Sequence, residues 1–145
     1  DGRYESHYAN GNPKKTGTYD LGKKIGTWEE FFEDGTRSRI DKYDNGKYSW
    51  VTYYPNGSKK YESQGIGTGS DNTEQGLKKE YYSNGKLRVE GRKINGFSEG
   101  IYIFYDSITG KKEQEGAYKL GEYDGVWKIY NAKGKVKSRI YFISG

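Results

Sequence analysis

The feature that most constrains this sequence is a figure of glycines and aromatic rings that occurs six times. In the second copy Gly26 is followed by a ring at Trp28, a pair of rings at Phe31 and Phe32, and a turn glycine at Gly35. The six copies open at Gly2, Gly26, Tyr48, Gly76, Gly100 and Gly125. A period of about 22 to 28 residues is typical of repeat arrays, in which each unit packs mainly on its neighbours.

Three slots of the figure carry the rings, where a slot number counts residues after the opening residue. Slot two holds Tyr4, Trp28, Trp50, Lys78, Tyr102 and Trp127. Slot five holds His7, Phe31, Tyr53, Tyr81, Tyr105 and Tyr130. Slot six holds Tyr8, Phe32, Tyr54, Tyr82, Asp106 and Asn131. Because side chains alternate across a strand, we expect slots two and six to share one face and slot five to lie on the other.

Each copy is interpreted as two β-strands with tight turns, because no stretch shows helical periodicity with caps. Asn-Gly and Asp-Gly pairs tolerate the positive φ angles of two-residue hairpin turns. Such pairs stand at the first turns in Asn10-Gly11, Asp34-Gly35, Asn56-Gly57 and Asn84-Gly85, and at the second turns in Asn45-Gly46 and Asn95-Gly96. The opening glycine is expected to leave bare backbone on which a neighbouring ring can lie.

The predicted fold is therefore all-β: an elongated, twisted, single-layer antiparallel sheet of about six successive β-hairpins. We interpret residues 1–145 as one repeat array. Its copies span approximately residues 2–25, 26–47, 48–75, 76–99, 100–124 and 125–145. The third copy departs from the figure with a glycine-rich insertion over residues 65–75, which we interpret as a flexible loop.

Composition narrows the chemistry further. Only 31% of the residues are hydrophobic, but 17% are aromatic, and 16 tyrosines can pack in a thin, half-wet layer. The chain has no Cys and one His, so we predict no metal site, no cofactor and no catalytic residue. His7 is interpreted as a packing ring, because its slot is aromatic in every other copy. The net charge of +5 is spread over mixed signs, which does not favour a nucleic-acid partner.

Two stretches carry a family resemblance, residues 76–86 (GLKKEYYSNGK) and 125–135 (GVWKIYNAKGK). The repeated figure resembles the MORN-repeat variant family of bacteria and is similar to YwqK-type proteins, which are described as antitoxin components. The resemblance extends over all six copies. It implies successive β-hairpins that act as a binding or tethering scaffold, with no shared catalytic residue. Tyr48 in place of the opening glycine, Lys78 in place of a ring and the insertion in copy three depart from the pattern.

The leading functional hypothesis is a non-enzymatic scaffold for protein–protein interaction, exported or attached to the bacterial surface as part of a longer chain. Its first alternative is an intracellular antitoxin that binds a toxin, and its second is a module for glycans or lipid headgroups. No dense basic cluster supports membrane lipid, and exposed sheet edges allow self-association. Candidate binding residues are the two aromatic rows, Trp28, Trp50, Tyr102 and Trp127 on one face and Phe31, Tyr53, Tyr81, Tyr105 and Tyr130 on the other.

Overall fold

A computed structural model describes residues 1–143 of the chain as one open antiparallel β-sheet. Its strands are β1 (Gly2–His7), β2 (Pro13–Asp20), β3 (Lys23–Phe31), β4 (Arg37–Asp44), β5 (Lys47–Tyr53), β6 (Lys59–Ile66), β7 (Thr73–Glu74), β8 (Gly76–Tyr81), β9 (Leu87–Ile94), β10 (Phe97–Ser98), β11 (Gly100–Tyr105), β12 (Lys112–Lys119), β13 (Glu122–Tyr130) and β14 (Val136–Phe142). The strands pair in chain order, except that the short strands β7 and β10 pair with β6 and β9 beside the main path. The all-β prediction is confirmed; the predicted end of the sixth copy, Gly145, lies outside the described residues.

The first turn of each hairpin is longer than the two-residue turn that the sequence predicts. In the second hairpin the Phe32 N–H donates to the Thr36 carbonyl at 2.7 Å and the Gly35 N–H donates to the Phe32 carbonyl at 2.9 Å, so that residues 33–35 form the loop. Gly35 has a φ of 89°, while Asp34 accepts the Thr36 N–H with its carboxylate at 2.8 Å. Asp or Asn is thus favoured before the turn glycine because its side-chain oxygen accepts the backbone N–H two residues later.

The turns that connect successive hairpins are of the predicted two-residue kind. Asn45 and Asn95 have φ angles of 48° and 49°, and the glycines after them have φ angles of 78° and 83°. Leu21 and Leu120 occupy the same turn position with φ angles of 48° and 50°. A left-handed conformation costs an ordinary L-residue about 1 to 2 kcal/mol, so the local signal at these two turns is the following glycine, Gly22 or Gly121, alone.

Slot six holds successive hairpins together. In the third hairpin the Tyr54 hydroxyl donates to the Tyr81 carbonyl at 2.7 Å, and the Asn56 amide donates to the Ser83 carbonyl at 2.8 Å. The first and fourth hairpins make the same pair of bonds through Tyr8, Asn10, Tyr82 and Asn84. Each first strand ends at slot five, so slot six lies just beyond it, and the face that slot six is predicted to share with slot two stays a prediction.

The second hairpin lacks both donors, because Phe32 has no hydroxyl and Asp34 has no amide. We expect Phe32→Tyr to donate to the Tyr53 carbonyl, as Tyr54 does one hairpin later, and to raise the free energy of unfolding by about 1 kcal/mol. Urea denaturation followed by circular dichroism measures the change. The matched control is Tyr54→Phe, which should lose a similar amount. This role for slot six would be contradicted if Phe32→Tyr were no more stable than the wild type while Tyr54→Phe was destabilised.

The rings of slot two lie on glycines of the preceding hairpin. A β-carbon built on Gly17 would stand 2.0 Å from the Trp28 ring, and one built on Gly116 would stand 2.1 Å from the Trp127 ring. Tyr102 lies in the same way on Gly91. The missing side chain therefore makes the space into which the ring of the next hairpin fits.

The opening glycines do not receive rings, contrary to the prediction. A β-carbon on Gly26 or Gly125 would meet nothing within 4 Å, and their φ angles are 62° and 65°. At Gly26 the pairing of β2 and β3 is irregular, so that Gly17 faces residues 26–28. The opening glycine is thus required by a bulge in the backbone. Tyr48 can replace it because β4 and β5 pair in regular register there.

The slot-two rings build two cores on one face of the sheet, which we call the ring face. One core contains Trp28, Tyr43 and Tyr48, and the other contains Val89, Tyr102 and Trp127. Between the cores slot two holds Lys78, whose Nζ lies 5.6 Å from the centre of the Tyr61 ring and 5.4 Å from that of Tyr102. The lysine thus takes the place of a ring through cation–π contacts.

The insertion in copy three packs against the ring face, and its predicted flexibility stays a prediction. The Lys24 N–H donates to the Thr68 carbonyl at 3.0 Å, and the Asn72 amide donates to the Tyr43 hydroxyl at 3.1 Å. Glu74, in β7, accepts two hydroxyl groups of β6. Polar side chains, which carry no periodic signal, dock this segment over the first core.

Candidate protein-binding surface

The first of the two predicted binding rows is part of the core. Trp28, Tyr102 and Trp127 are 1%, 2% and 4% exposed. The indole N–H groups of Trp28 and Trp127 donate to backbone carbonyls of the preceding strand at 3.1 and 3.0 Å. Trp50 is half-buried, with the Arg39 guanidinium 5.7 Å from its ring centre. This row holds hairpins together and offers a partner little surface.

The second row lies on the opposite face and is half-buried throughout. The Tyr105 hydroxyl donates to the Glu90 carboxylate of the preceding hairpin at 2.5 Å. Tyr81 and Tyr130 donate in the same way to Glu62 and Glu115. Phe31 and Tyr53, the remaining ring members of the row, are half-buried. His7 is about half exposed and approaches Glu5 at 3.4 Å, so its interpretation as a packing ring is wrong.

These tyrosine–glutamate bonds change the acidity of both partners. Burial and the bond to Glu90 raise the pKa of Tyr105 to about 12. The hydrogen bond from Tyr130 lowers the pKa of Glu115, to which Lys112 also donates at 3.1 Å. Both effects favour the neutral hydroxyl and the charged carboxylate, the pair that the hydrogen bond requires. The second row is thus also occupied by contacts between hairpins.

A different row on this second face runs across all the main strands. Cross-strand pairs define most of it, for example Thr27 with Lys42, Ile101 with Ala117, and Val126 with Tyr141. Two steps are offset by bulges, because Thr18 pairs with Ile25 and Ala117 pairs with Asp124. In strand order its members are Arg3, Thr18, Thr27, Lys42, Ser49, Gln64, Leu77, Arg92, Ile101, Ala117, Val126 and Tyr141. The row is polar from β1 to β6 and mostly apolar from β8 to β14.

We call the apolar part of this row, together with the adjoining Ile103, the apolar stripe; its members are Leu77, Ile101, Ile103, Ala117, Val126 and Tyr141. Leu77, Ile101 and Tyr141 are 59%, 62% and 70% exposed, and Val126 is 41% exposed. Arg92, which is exposed, stands between Leu77 and Ile101 in the row, so the stripe is interrupted at β9. Large exposed apolar side chains that recur on several strands of one sheet face are typical of an interaction site.

Shallow depressions run along the row and connect its two parts. One of about 240 Å³ is lined by Leu77, Ile101 and Ile103. It shares Leu77 with a depression of about 340 Å³ that reaches back to Ser49 and Gln64. A third, of about 450 Å³, continues from these residues to Lys42. These depressions therefore form an open groove that crosses strands from Lys42 to Ile101.

The sequence contains a signal for this surface that the ring pattern hides. Slot one of the six copies is Arg3, Thr27, Ser49, Leu77, Ile101 and Val126. Polar residues in the first three copies give way to aliphatic residues in the last three. The aromatic slots dominate the periodicity, so the ring pattern does not indicate this change in slot one.

Within residues 1–143, no group of three or more potential metal-ligating side chains lies close enough together to hold an ion. The described part of the chain also contains no helix with the length and apolarity needed to cross a bilayer.

Three segments of the chain match the family model of the MORN repeat variant, namely residues 1–21, 74–92 and 123–144. They fall in the first, fourth and sixth hairpins. MORN repeats are generally binding and scaffold modules without catalytic activity. The hairpins between these segments continue the same antiparallel sheet. No curated protein matches the chain.

Among solved structures, a mutant of S. aureus TarM in complex with Fondaparinux, alpha-GlcNAc-glycerol and UDP is similar at 10% identity and a TM-score of 0.47. The similarity covers 85% of this chain and 21% of that one. A second crystal structure of TarM is 12% identical over 80% of this chain and 19% of its own, with a TM-score of 0.45. The chain thus spans about a fifth of these proteins, and likeness at this level does not bear on its function.

Proposed function

We propose that the chain is a non-enzymatic scaffold that binds a partner protein along the apolar stripe. The observation that supports it most is the change in slot one from polar to aliphatic residues, which leaves Leu77, Ile101 and Val126 exposed where Thr27 and Ser49 stand in earlier copies. These aliphatic side chains do not belong to either core. A contribution to binding accounts for them better than a contribution to folding.

The spacing of the stripe favours an amphipathic helix as the partner segment. Slot-one side chains of successive hairpins lie two strands apart, or about 9.6 Å. Residues seven positions apart on an α-helix lie about 10.5 Å apart, on one face. From Leu77 to Tyr141 the stripe crosses five strand intervals, or about 24 Å, which is close to the 27 Å length of a helix of about 18 residues.

Site-specific cross-linking tests the proposal in the organism that makes the protein. A photo-reactive residue at position 101 is expected to capture a defined protein, and the same residue at position 27, in the polar part of the same row, is not. The captured protein is identified, purified and titrated against the wild type and Ile101→Asp. A charge placed in the stripe should weaken binding by about 30-fold, because an apolar contact is lost and a carboxylate is desolvated.

The matched control is Thr27→Asp, which introduces the same charge into the same slot outside the stripe and should leave the dissociation constant unchanged. Equal affinity of the wild type and Ile101→Asp for the captured protein would contradict binding at the stripe. Thermal unfolding of both variants establishes that the sheet is intact.

Several finer hypotheses stay predictions. They are export or surface attachment, kinship with the YwqK type, the role of an antitoxin, and binding of glycans or lipid headgroups. The identity of the captured protein decides between the first three, since an antitoxin would capture its toxin. Self-association through the sheet edges also stays a prediction, and sedimentation at several concentrations would measure it.

A further inference from the structure

We infer that Asn45 is a modification site, at which the side-chain amide is lost by attack from the backbone nitrogen of Gly46. The site lies in the turn between β4 and β5, outside the apolar stripe, and its chemistry is independent of the proposed function. The nitrogen bonds to the side-chain carbonyl carbon, and its proton leaves with the amide group as ammonia. Water then opens the cyclic imide at either carbonyl, so that the product is aspartate or isoaspartate. Glycine favours the attack because it has no β-carbon to hinder it.

The chain contains five Asn-Gly pairs, so the dipeptide alone does not distinguish one site from another. The pairs begin at Asn10, Asn45, Asn56, Asn84 and Asn95. The attack requires a side chain that can turn toward the backbone and a glycine N–H that can give up its proton. A hydrogen bond that holds either group in place opposes the reaction. The contacts within the fold therefore rank the five sites.

The three first-turn asparagines are held at both reacting groups. The Asn56 amide donates to the Ser83 carbonyl at 2.8 Å, and its side-chain oxygen accepts the backbone N–H two residues later at 2.9 Å. The N–H of the glycine that follows donates to the Tyr54 carbonyl at 2.9 Å. The same three bonds recur around Asn10 and Asn84. These bonds protect the three sites for as long as the hairpins are folded.

The two second-turn asparagines, Asn45 and Asn95, are exposed, and neither side chain forms a hydrogen bond within residues 1–143. They differ in the glycine that follows. The Gly96 N–H donates to the Glu74 carbonyl at 2.9 Å, whereas the Gly46 N–H donates to no backbone carbonyl in the part of the chain that the structure describes. Asn45 is thus the pair of this kind that the described contacts protect least.

The product alters a contact of the insertion in copy three. The Gly46 carbonyl accepts the Gly67 N–H at 2.7 Å, close to the start of the insertion. Isoaspartate passes the main chain through its side-chain carbon, which adds one atom to a two-residue turn whose flanking strands pair in regular register. The Gly46 carbonyl cannot keep its position in such a turn. Isoaspartate at position 45 therefore weakens the bond to Gly67, whereas aspartate, which leaves the main chain unchanged, does not.

Peptide mapping by mass spectrometry tests the ranking, by following the loss of each amide while the folded chain is incubated in mildly alkaline buffer. Asn45 should react first, at least about tenfold faster than the first-turn asparagines, because several hydrogen bonds must break before those can react. Asn95 should fall between them. Each event lowers the formal net charge from +5 to +4, so cation exchange separates the product. The control is the same chain unfolded in urea, in which all five pairs should react at similar rates.

Two results in the folded chain would overturn the inference. One is a first-turn asparagine that loses its amide as fast as Asn45 does, and the other is an Asn45 that keeps its amide while Asn95 reacts. The variant Asn45→Gly, which suits the positive φ of this position, should lose the leading reaction and leave the other four rates unchanged. Circular dichroism establishes that the variant is folded.

Hydrogen exchange at the Gly67 N–H tests the effect on the insertion. Exchange should be faster in the isolated isoaspartate form than in the unmodified chain. The variant Asn45→Asp introduces the same charge without lengthening the main chain, and its exchange should match that of the unmodified chain. Equal exchange in all three forms would show that the modification leaves the insertion docked and would contradict this part of the inference.

Discussion

Gly116→Ala is expected to lower the free energy of unfolding by about 3 to 5 kcal/mol, a loss comparable to removing a buried tryptophan. A β-carbon at this position would stand 2.1 Å from the Trp127 ring, and the ring rests on backbone that cannot move without breaking the pairing of β12 and β13. The ring must therefore leave its site, and its burial is lost. Urea denaturation followed by far-ultraviolet circular dichroism measures the loss.

The control is Gly125→Ala in the following strand. There a β-carbon would meet nothing within 4 Å, but the φ angle of 65° is unfavourable for alanine. The expected loss is about 1 to 2 kcal/mol. An equal or larger loss at Gly125 than at Gly116 would show that rings rest on the opening glycines after all.

Trp127→Ala is expected to lower the free energy of unfolding by about 3 to 5 kcal/mol, because the side chain is 4% exposed and packs in the second core. The Ala117 carbonyl also loses the bond that it accepts from the indole N–H at 3.0 Å. Tyr130→Ala, in the same strand but half-buried, should lose about 1 to 2 kcal/mol. The same denaturation experiment compares the two variants.

The effects of Gly116→Ala and Trp127→Ala on the free energy of unfolding are expected to be strongly non-additive. Once the Trp127 ring is absent, a methyl group on Gly116 has nothing to displace, so the double variant should be about as stable as Trp127→Ala alone. Losses that simply add would mean that Gly116 is needed for a reason unrelated to the ring. This cycle thus measures the contact by which one hairpin holds the next.

The sequence predicts the architecture well because the same few contacts recur in each hairpin. The turn glycines and rings predict the hairpins, the single sheet and the two-residue turn at Asn45. One assignment fails for a local reason. The ring pattern predicts that the opening glycine supports a ring, but Gly26 permits a bulge, and Gly17, outside the aromatic figure, supports Trp28. The alternation of side chains along a strand does not indicate whether the ring lies on the opening glycine or on the glycine of the preceding strand.

The candidate site is less predictable than the fold. The sequence favours slots two and five because aromatic rings often mediate binding, yet Trp28 is buried and the Tyr105 hydroxyl donates to Glu90. Ring exposure depends on the neighbouring hairpin, which a single repeat does not reveal. A single isoleucine in the sequence does not indicate a binding surface, and Ile101 becomes part of one only when the sheet places it beside Ala117.

Slot one makes no core contact, whereas slots two, five and six join each hairpin to its neighbours. Under the proposed function, foldability and partner choice therefore depend on different residues of the same short unit. Duplication of a hairpin would copy the structural residues unchanged and leave slot one free to diverge. A lineage of such chains could acquire new binding preferences through surface substitutions alone, while its scaffold stayed under separate purifying selection.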